Sequence, residues 1–163
     1  MTKDNNTRRA DTFGEEQHDG RNTENGKNTE PDALIISRMT GLDLWRVELA
    51  LAAGYSNERV KVAAEQLRDA RVWISRNIDA WGYILHGALF DATRGKRVSI
   101  ARLVENARHL DFLDVDGNYS SYDNTNDSIL ARLLIETVPE AEPHIERRRS
   151  VYDFLIGGAD VDR

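Results

Sequence analysis

The sequence contains no cysteine among its 163 residues, and its longest apolar stretches are short. The lack of cysteine excludes a disulfide framework, a cysteine-ligated zinc site and a thiol nucleophile, and it favours a reducing compartment. Apolar stretches such as residues 47–53 fall far short of the roughly 20 residues that a membrane-spanning helix needs. Residues 1–31 also lack the apolar segment of a signal peptide. We therefore expect an intracellular protein that neither spans a membrane nor is secreted.

Positive charge is in the minority, with 22 basic against 28 acidic residues and a formal net charge of -6. This balance repels the DNA backbone in bulk and argues against non-specific nucleic-acid binding. It leaves room for a local basic patch. It is equally compatible with docking on the basic groove of a nucleic-acid-handling protein, where carboxylates would take the place of phosphates.

The first 31 residues are polar and charged, and Phe13 is their only large apolar side chain after Met1. Such a segment cannot offset the roughly 1–2 kcal/mol per residue that backbone ordering costs. We predict a disordered tail over residues 1–31, one helical domain over residues 32–158, and a frayed end over residues 159–163.

Apolar residues recur at three- and four-residue spacing through most of that domain. The pattern predicts a mainly α fold of five to six helices with at most a small β-hairpin or wing. The second helix has apolar residues on two sides, so we expect it to be buried on both. The predicted helices cover residues 32–39, 42–53, 57–77, 80–93, 100–109 and 126–137, followed by one turn at 139–145 and a terminal element at 151–156 that docks on the core.

Capping residues mark several of these boundaries. Ser56 or Asn57, Asp79 and Ser99 are predicted N-caps because their side-chain oxygens can accept free backbone N–H groups. Gly41 is predicted to stop the first helix.

Residues 111–125 lose the helical period. Asp116-Gly117 between short apolar stretches predicts a type I′ hairpin turn, or at least a structured loop. Oxygen-bearing residues alternate here as in a calcium loop, but Tyr119 stands where glycine is required and Thr125 where a bidentate glutamate is required. We therefore expect a turn whose aspartate and asparagine side chains bond their own backbone, and no metal. The alternating residues are Asp114, Asp116, Asn118 and Ser120.

No catalytic motif is present. The nucleophile elbow, the phosphate loop, the dinucleotide fingerprint and the His-Glu-x-x-His helix are all missing. A Ser-His-Asp set assembled from distant positions stays open as a third alternative. We predict a protein that is not an enzyme and uses no cofactor. The four histidines, which lie at no ligand spacing from one another, are His18, His86, His109 and His144.

Two sets of charged residues are candidates for binding. The arginines can contact phosphates, or they can pair with neighbouring acids such as Asp91, Glu105, Glu136 and Glu146. The acids can dock onto a basic surface. The candidate phosphate-binding residues are Arg97, Arg102, Arg108, Arg148 and Arg149, and the candidate partner-binding acids are Asp111, Asp114, Asp116, Asp123 and Asp127.

Six short segments carry a resemblance: Arg-Val-Ser-Ile at 97–100, Leu-Val-Glu at 103–105, Asn-Thr-Asn at 124–126, Ala-Arg-Leu-Leu at 131–134, Pro-Glu at 139–140, and Glu-x-Arg-Arg-Ser at 146–150. Together they resemble a pattern in small proteins of bacteriophages and integrated mobile elements. The resemblance covers roughly the C-terminal two fifths of the folded part. It implies a phage or prophage origin, a bacterial cytoplasm and a compact helical unit with a wing-like loop, and it assigns no activity and no site residues.

Two functions follow as expectations, both based on a macromolecular partner. The first is inhibition of a host nucleic-acid-handling defence complex, as an anti-CRISPR protein does, by occupying its basic nucleic-acid-binding surface. The alternative is a winged-helix-like DNA-binding transcriptional regulator, in which the wing or the helix at residues 126–137 approaches a groove of duplex DNA. The loop of about 15 residues before that helix is longer than a helix-turn-helix turn and leaves only a winged or divergent version.

Overall fold

A computed structural model describes residues 30–121 and 127–157. The predicted tail, apart from residues 30 and 31, lies outside the described residues, as do the predicted frayed end and Asp123. The elements in chain order are α1 (Asp32–Thr40), α2 (Leu44–Ala52), α3 (Asn57–Arg76), α4 (Ile78–Thr93), α5 (Ile100–Arg108), α6 (Asp127–Thr137), a 3₁₀ helix (Pro139–His144) and α7 (Tyr152–Leu155).

The mainly α fold is confirmed, with six α-helices of nine residues or more in the described part of the chain. The small hairpin is not confirmed. Up to residue 121, where the described part of the loop after α5 ends, this loop forms one isolated antiparallel bridge, between Leu113 and Tyr119, and no strand. The prediction of a type I′ turn was wrong. Such a turn needs a positive φ at both central residues, and the φ of Asp116 is not positive. Instead the Gly117 N–H donates to the Asp114 carbonyl at 3.0 Å, and Gly117 itself has φ 80°.

Serine and glycine fix the helix ends where the sequence predicted them. The hydroxyl oxygens of Ser56 and Ser99 each accept the backbone N–H three residues later, at the starts of α3 and α5. Gly41 ends α1 in the left-handed conformation, with φ 70°.

The N-cap predicted at Asp79 was wrong. Helix α4 begins at Ile78, two residues before the predicted start at residue 80. Asn77 is both the C-cap of α3 and the N-cap of α4. The Trp81 N–H bonds the Asn77 carbonyl at 2.9 Å, which places Asp79 in the first turn. A carboxylate there still interacts favourably with the helix dipole, so the residue type suits the position without capping it.

The centre of the domain is α6, where six consecutive residues, 129–134, are buried. Four elements surround it: α3, α5, the 3₁₀ helix and α7. Arg132 is among the buried residues, with 4% of its surface exposed. Its guanidinium is satisfied there by Asp153, at 2.6 Å from Nε, and by the carbonyls of Ser128 and Arg148, each at 2.8 Å.

The expectation that α2 is buried on both sides was wrong. Val47 and Ala50 are buried, but Leu44 and Trp45 are exposed. Helix α2 packs against α1, α3 and α7. Leu49 and Leu51 are partly buried against the core, so each of the two apolar sides is covered only in part.

The terminal element does dock on the core, because Phe154, Leu155 and Ile156 are all buried. Arg46 of α2 holds its end: Nη1 donates to the carbonyls of Leu155 at 3.1 Å, Ile156 at 2.6 Å and Gly157 at 3.2 Å. None of the helices in the described residues is both long and apolar enough to cross a membrane.

Candidate functional site

The loop after α5 folds back onto α3. The Val115 N–H donates to the Arg76 carbonyl at 2.8 Å, and the Trp73 indole N–H donates to the Ser121 carbonyl at 2.5 Å. These two bonds attach the loop to the C-terminal turn of α3. Residues 115–121 of the loop are therefore held against the last turn of α3 and do not project as a wing.

One arginine organises the acids of this loop. Arg76 Nη2 lies 3.2 Å from Asp114 Oδ2 and also pairs with the carboxylate of Asp116. Asp114 Oδ1 accepts the backbone N–H groups of Asp116 and Asn118, each at 2.9 Å. Backbone bonding from Asn118, with further bonds from Asp116 and Arg76, holds the pKa of Asp114 below its ordinary value. The predicted turn with self-bonding side chains is confirmed.

The candidate acids do not form one free acidic surface. Asp114 and Asp116 share Arg76, and Asp111 lies exposed on the same loop with φ 49°. Asp127 stands apart at the start of α6, where burial raises its pKa and the charge of Arg108 opposes part of that rise. Asp123 lies outside the described residues.

Sequence reasoning missed the apolar character of the loop surface. Five apolar residues on the loop or at the α3–α4 junction that it contacts are each at least half exposed, and Tyr119 reaches 73%. The sequence did contain a signal for this exposure. Apolar residues alternate with aspartates over residues 110–116, and this stretch has no helical period that would bury the apolar side chains. We call this set the loop face; it consists of Ile78, Leu110, Leu113, Val115 and Tyr119.

The charges next to the loop face are mostly negative. Residues 76–79 and 110–119 carry one basic side chain, that of Arg76. The same two segments carry four carboxylates, those of Asp79, Asp111, Asp114 and Asp116. The loop face is therefore an apolar surface with a net negative border.

Pairing with acids accounts for three of the five candidate arginines. Arg148 is exposed, and the guanidinium of Arg149 lies 5.6 Å from the ring centre of Phe154. Among the acids that the sequence suggested as partners, three take that role. The pairs are Arg97 with Glu146 at 2.5 Å, Arg102 with Asp91, and Arg108 with Glu105 at 3.1 Å.

The fold nevertheless brings the two basic segments together. The Val98 N–H donates to the His144 carbonyl at 2.9 Å, which places residues 94–98 beside residues 144–149. We call the exposed basic residues of these two segments the basic surface. Glu142 and Glu146 pair with Arg147 and Arg97 within it. Its members are Arg94, Lys96, Arg97, Arg147, Arg148 and Arg149.

Neither element proposed to enter a DNA groove is free to do so. Residues 129–134 of α6 are all buried, so that helix cannot present base-reading side chains along its length. The loop is bonded to α3 through Val115. Within the described residues, the basic segments at 94–98 and 144–149 are the remaining candidates that the sequence offered for a DNA contact.

Residues 30–121 and 127–157 contain no group of three histidine, aspartate or glutamate side chains arranged to hold a metal ion. His109 lies 3.2 Å from Glu105 on the exposed side of α5. Comparison with models of protein families, with curated proteins and with solved structures finds no match for this chain.

Proposed function

We propose that this is a non-enzymatic protein of a phage or mobile element that works in the bacterial cytoplasm and inhibits a host nucleic-acid-handling defence complex. It acts, as an anti-CRISPR protein does, by occupying a basic surface of that complex. The observation that carries the proposal is the loop face: exposed apolar side chains on a loop fixed to α3, bordered by four carboxylates and one guanidinium.

The composition of the loop face suits a protein partner. Tyrosine and aliphatic side chains in one exposed patch with a polar border are typical of the centre of protein interfaces. The hydrogen bonds to α3 support a largely preformed surface, so little conformational entropy is lost when a partner binds. Tyr119, the most exposed member, is the residue type most often found to dominate binding energy, together with tryptophan and arginine.

The border charge favours a basic partner. Arg76 is shared by Asp114 and Asp116, which leaves an excess of negative charge around the apolar centre. Complementary charge speeds encounter with a positive surface and opposes binding to a negative one. Proteins that bind nucleic acids present such positive surfaces, because phosphates dominate their affinity.

The experiment uses the full chain, immobilised and exposed to a lysate of candidate host bacteria, followed by identification of the bound proteins. Support requires that a bound protein is a nucleic-acid-binding one and that added duplex DNA displaces it. The double variant Val115→Ser plus Tyr119→Ala should weaken capture by about 30-fold or more, as for hot-spot residues. Val62→Ser, at an exposed apolar position of α3 away from the loop, is the matched control and should bind normally. Capture that ignores both the loop variants and DNA would contradict the proposal.

A second candidate function, DNA binding by a transcriptional regulator, is favoured by one observation. The hydrogen bond from Val98 to His144 joins two basic segments that are about 50 residues apart in the sequence, and gives the basic surface. Its positive charge is reduced by Glu142 and Glu146, which already pair with two of its arginines. For this reason we place it second.

The two functions separate in a gel-shift titration with duplex DNA at several salt concentrations. Direct binding predicts a shift that weakens steeply with salt and is lost on Arg97→Ala plus Arg148→Ala. Inhibition through the loop face predicts no shift at physiological salt. It also predicts that the same double variant keeps its protein partner.

A further inference from the structure

A groove lies between the C-terminal end of α1 and the second half of α3. It has a volume of about 270 Å³ and is more apolar than polar. Leu42, Ala64, Leu67 and Val72 supply its apolar lining, and Arg68 and Arg71 lie at its edge. The volume falls below the roughly 300–1,000 Å³ of ordinary small-molecule sites, which suits one large side chain with its flanking backbone.

The edge of the groove is positive. Arg68 and Arg71 are both exposed, and the contact of Arg68 with its neighbour Asp69, at 3.3 Å, is between largely exposed groups. Exposed pairs of this kind contribute little and exchange partners easily. A ligand that brings one aromatic or aliphatic side chain together with carboxylates fits this combination.

The chain itself contains such a segment. Residues 1–29 lie outside the described residues, and within them Phe13 is the one aromatic residue. It is surrounded by carboxylates at Asp11, Glu15 and Glu16. This segment therefore combines the apolar group and the negative charge that the groove and its edge require.

The tether is long enough to place that segment in the groove. The described chain starts at Glu30, which pairs with Arg38 on α1, the helix whose end lines the groove. The 17 Cα-to-Cα steps from Phe13 to Glu30 can span up to about 55–60 Å, whereas α1 is only about 14 Å long. Because the segment and the groove belong to one chain, binding between them is intramolecular, and weaker contacts are sufficient than for two separate molecules.

We infer that the groove between α1 and α3 binds residues 11–16 of the same chain, with Phe13 on the apolar lining and the flanking carboxylates on Arg68 and Arg71. The inference does not depend on the proposed function, because none of these residues belongs to the loop face or the basic surface. It assigns a binding role to a segment that lies outside the described residues.

The test is ¹⁹F NMR of the full chain with fluorophenylalanine at its four phenylalanine positions. The Phe13 resonance is assigned by its loss in Phe13→Leu. We expect its chemical shift to differ from that in the urea-denatured protein. The shift should return toward the denatured value in Arg71→Glu, and also in high salt, which screens the ion pairs. Arg148→Glu, a charge reversal at an exposed arginine away from the groove, should leave it unchanged. The other three resonances report in each variant that the core is still folded.

Two results would overturn the inference. One is a Phe13 resonance at its denatured position in the unmodified protein. The other is a displacement that disappears on 100-fold dilution, since binding within one chain is independent of concentration and binding between two copies is not.

Discussion

Arg76 Nη2 lies 3.2 Å from Asp114 Oδ2, a contact that joins the last turn of α3 to a loop 38 residues further along the chain. The same guanidinium pairs with Asp116, and the Arg76 carbonyl accepts the Val115 N–H at 2.8 Å. Side chain and backbone of one residue thus hold the loop from two sides. Two of the acids that the sequence offered for partner binding have this structural role as well.

Removing the Asp114 carboxylate should loosen the loop without unfolding the domain. In Asp114→Ala the N–H groups of Asp116 and Asn118 lose their acceptor at 2.9 Å, and Arg76 loses a partner. We expect hydrogen exchange at both amides to accelerate by about 10-fold or more, while exchange in α6 stays unchanged. Asp114→Asn is the matched control, because its amide oxygen can still accept both bonds. Equal protection in Asp114→Ala and the parent protein would contradict this role.

The loop should also respond to acid. The bonds to its carboxylate lower the pKa of Asp114 in the folded protein, so the unfolded chain takes up the proton first. The contribution of the charged form is complete above the unfolded pKa of about 3.9 and disappears as the pH falls through the lower folded pKa. Carboxyl ¹³C NMR should show Asp114 titrating below 3.9, and the amide shift of Asn118 should follow the same midpoint. Titration at or above about 3.9 would contradict the assignment.

Arg132 should be essential for stability, unlike the exposed arginines. Its side chain is 4% exposed and bonds Asp153 and two carbonyls, while Arg97 and Glu146 are exposed at 73% and 68%. Arg132→Ala removes the countercharge of the partly buried Asp153 carboxylate, which keeps the Ser150 N–H at 2.7 Å, and this costs about 3–5 kcal/mol in the free energy of unfolding. Arg97→Ala should cost no more than about 1 kcal/mol. Urea unfolding measures both, and similar midpoints for the two variants would refute the distinction.

Two glycines of α4 should respond in opposite directions to alanine. A Cβ atom on Gly87 would lie 2.5 Å from Leu103 Cδ2, and Leu103 is buried between α4 and α5. Gly87→Ala should therefore destabilise the protein by about 1–3 kcal/mol through overpacking. A Cβ atom on Gly82 meets nothing within 4 Å, so Gly82→Ala should stabilise the helix by up to about 1 kcal/mol. Thermal unfolding of the two variants side by side tests the packing of α4 on α5.

The helices were predictable because local signals and burial agree along them. Ser56 and Ser99 cap where hydroxyl groups normally do, and the apolar spacing of α3 and α5 matches their buried faces. The start of α4 was misplaced by two residues because Asp79 is a good N-cap by type, while Asn77 takes that position in the structure. The exposure of Trp45 depends on which elements pack against α2. The periodicity of apolar residues alone does not predict those packing partners.

The charged sites were less predictable, since an ion pair depends on tertiary distance. Arg76 did not stand out in the sequence, and its partners lie 38 and 40 residues away. The sequence offered pairing with acids as an alternative to phosphate contact for the arginines. Arg97 and Arg102 do pair in this way, with Glu146 and Asp91 respectively. The contact between residues 94–98 and residues 144–149 could not be predicted from the sequence, because it depends on the tertiary structure.

The contact of Arg46 with the last described turn has a consequence for biosynthesis. Its guanidinium meets carbonyls that come 109 to 111 residues later in the chain. While the ribosome is still translating, α2 lacks this partner and cannot reach its final packing, because so distant a closure needs nearly the whole domain to be made. Nascent chains should therefore acquire protease resistance only after residue 157 has left the ribosome, and a stop codon before residue 155 should yield a product that the cell degrades.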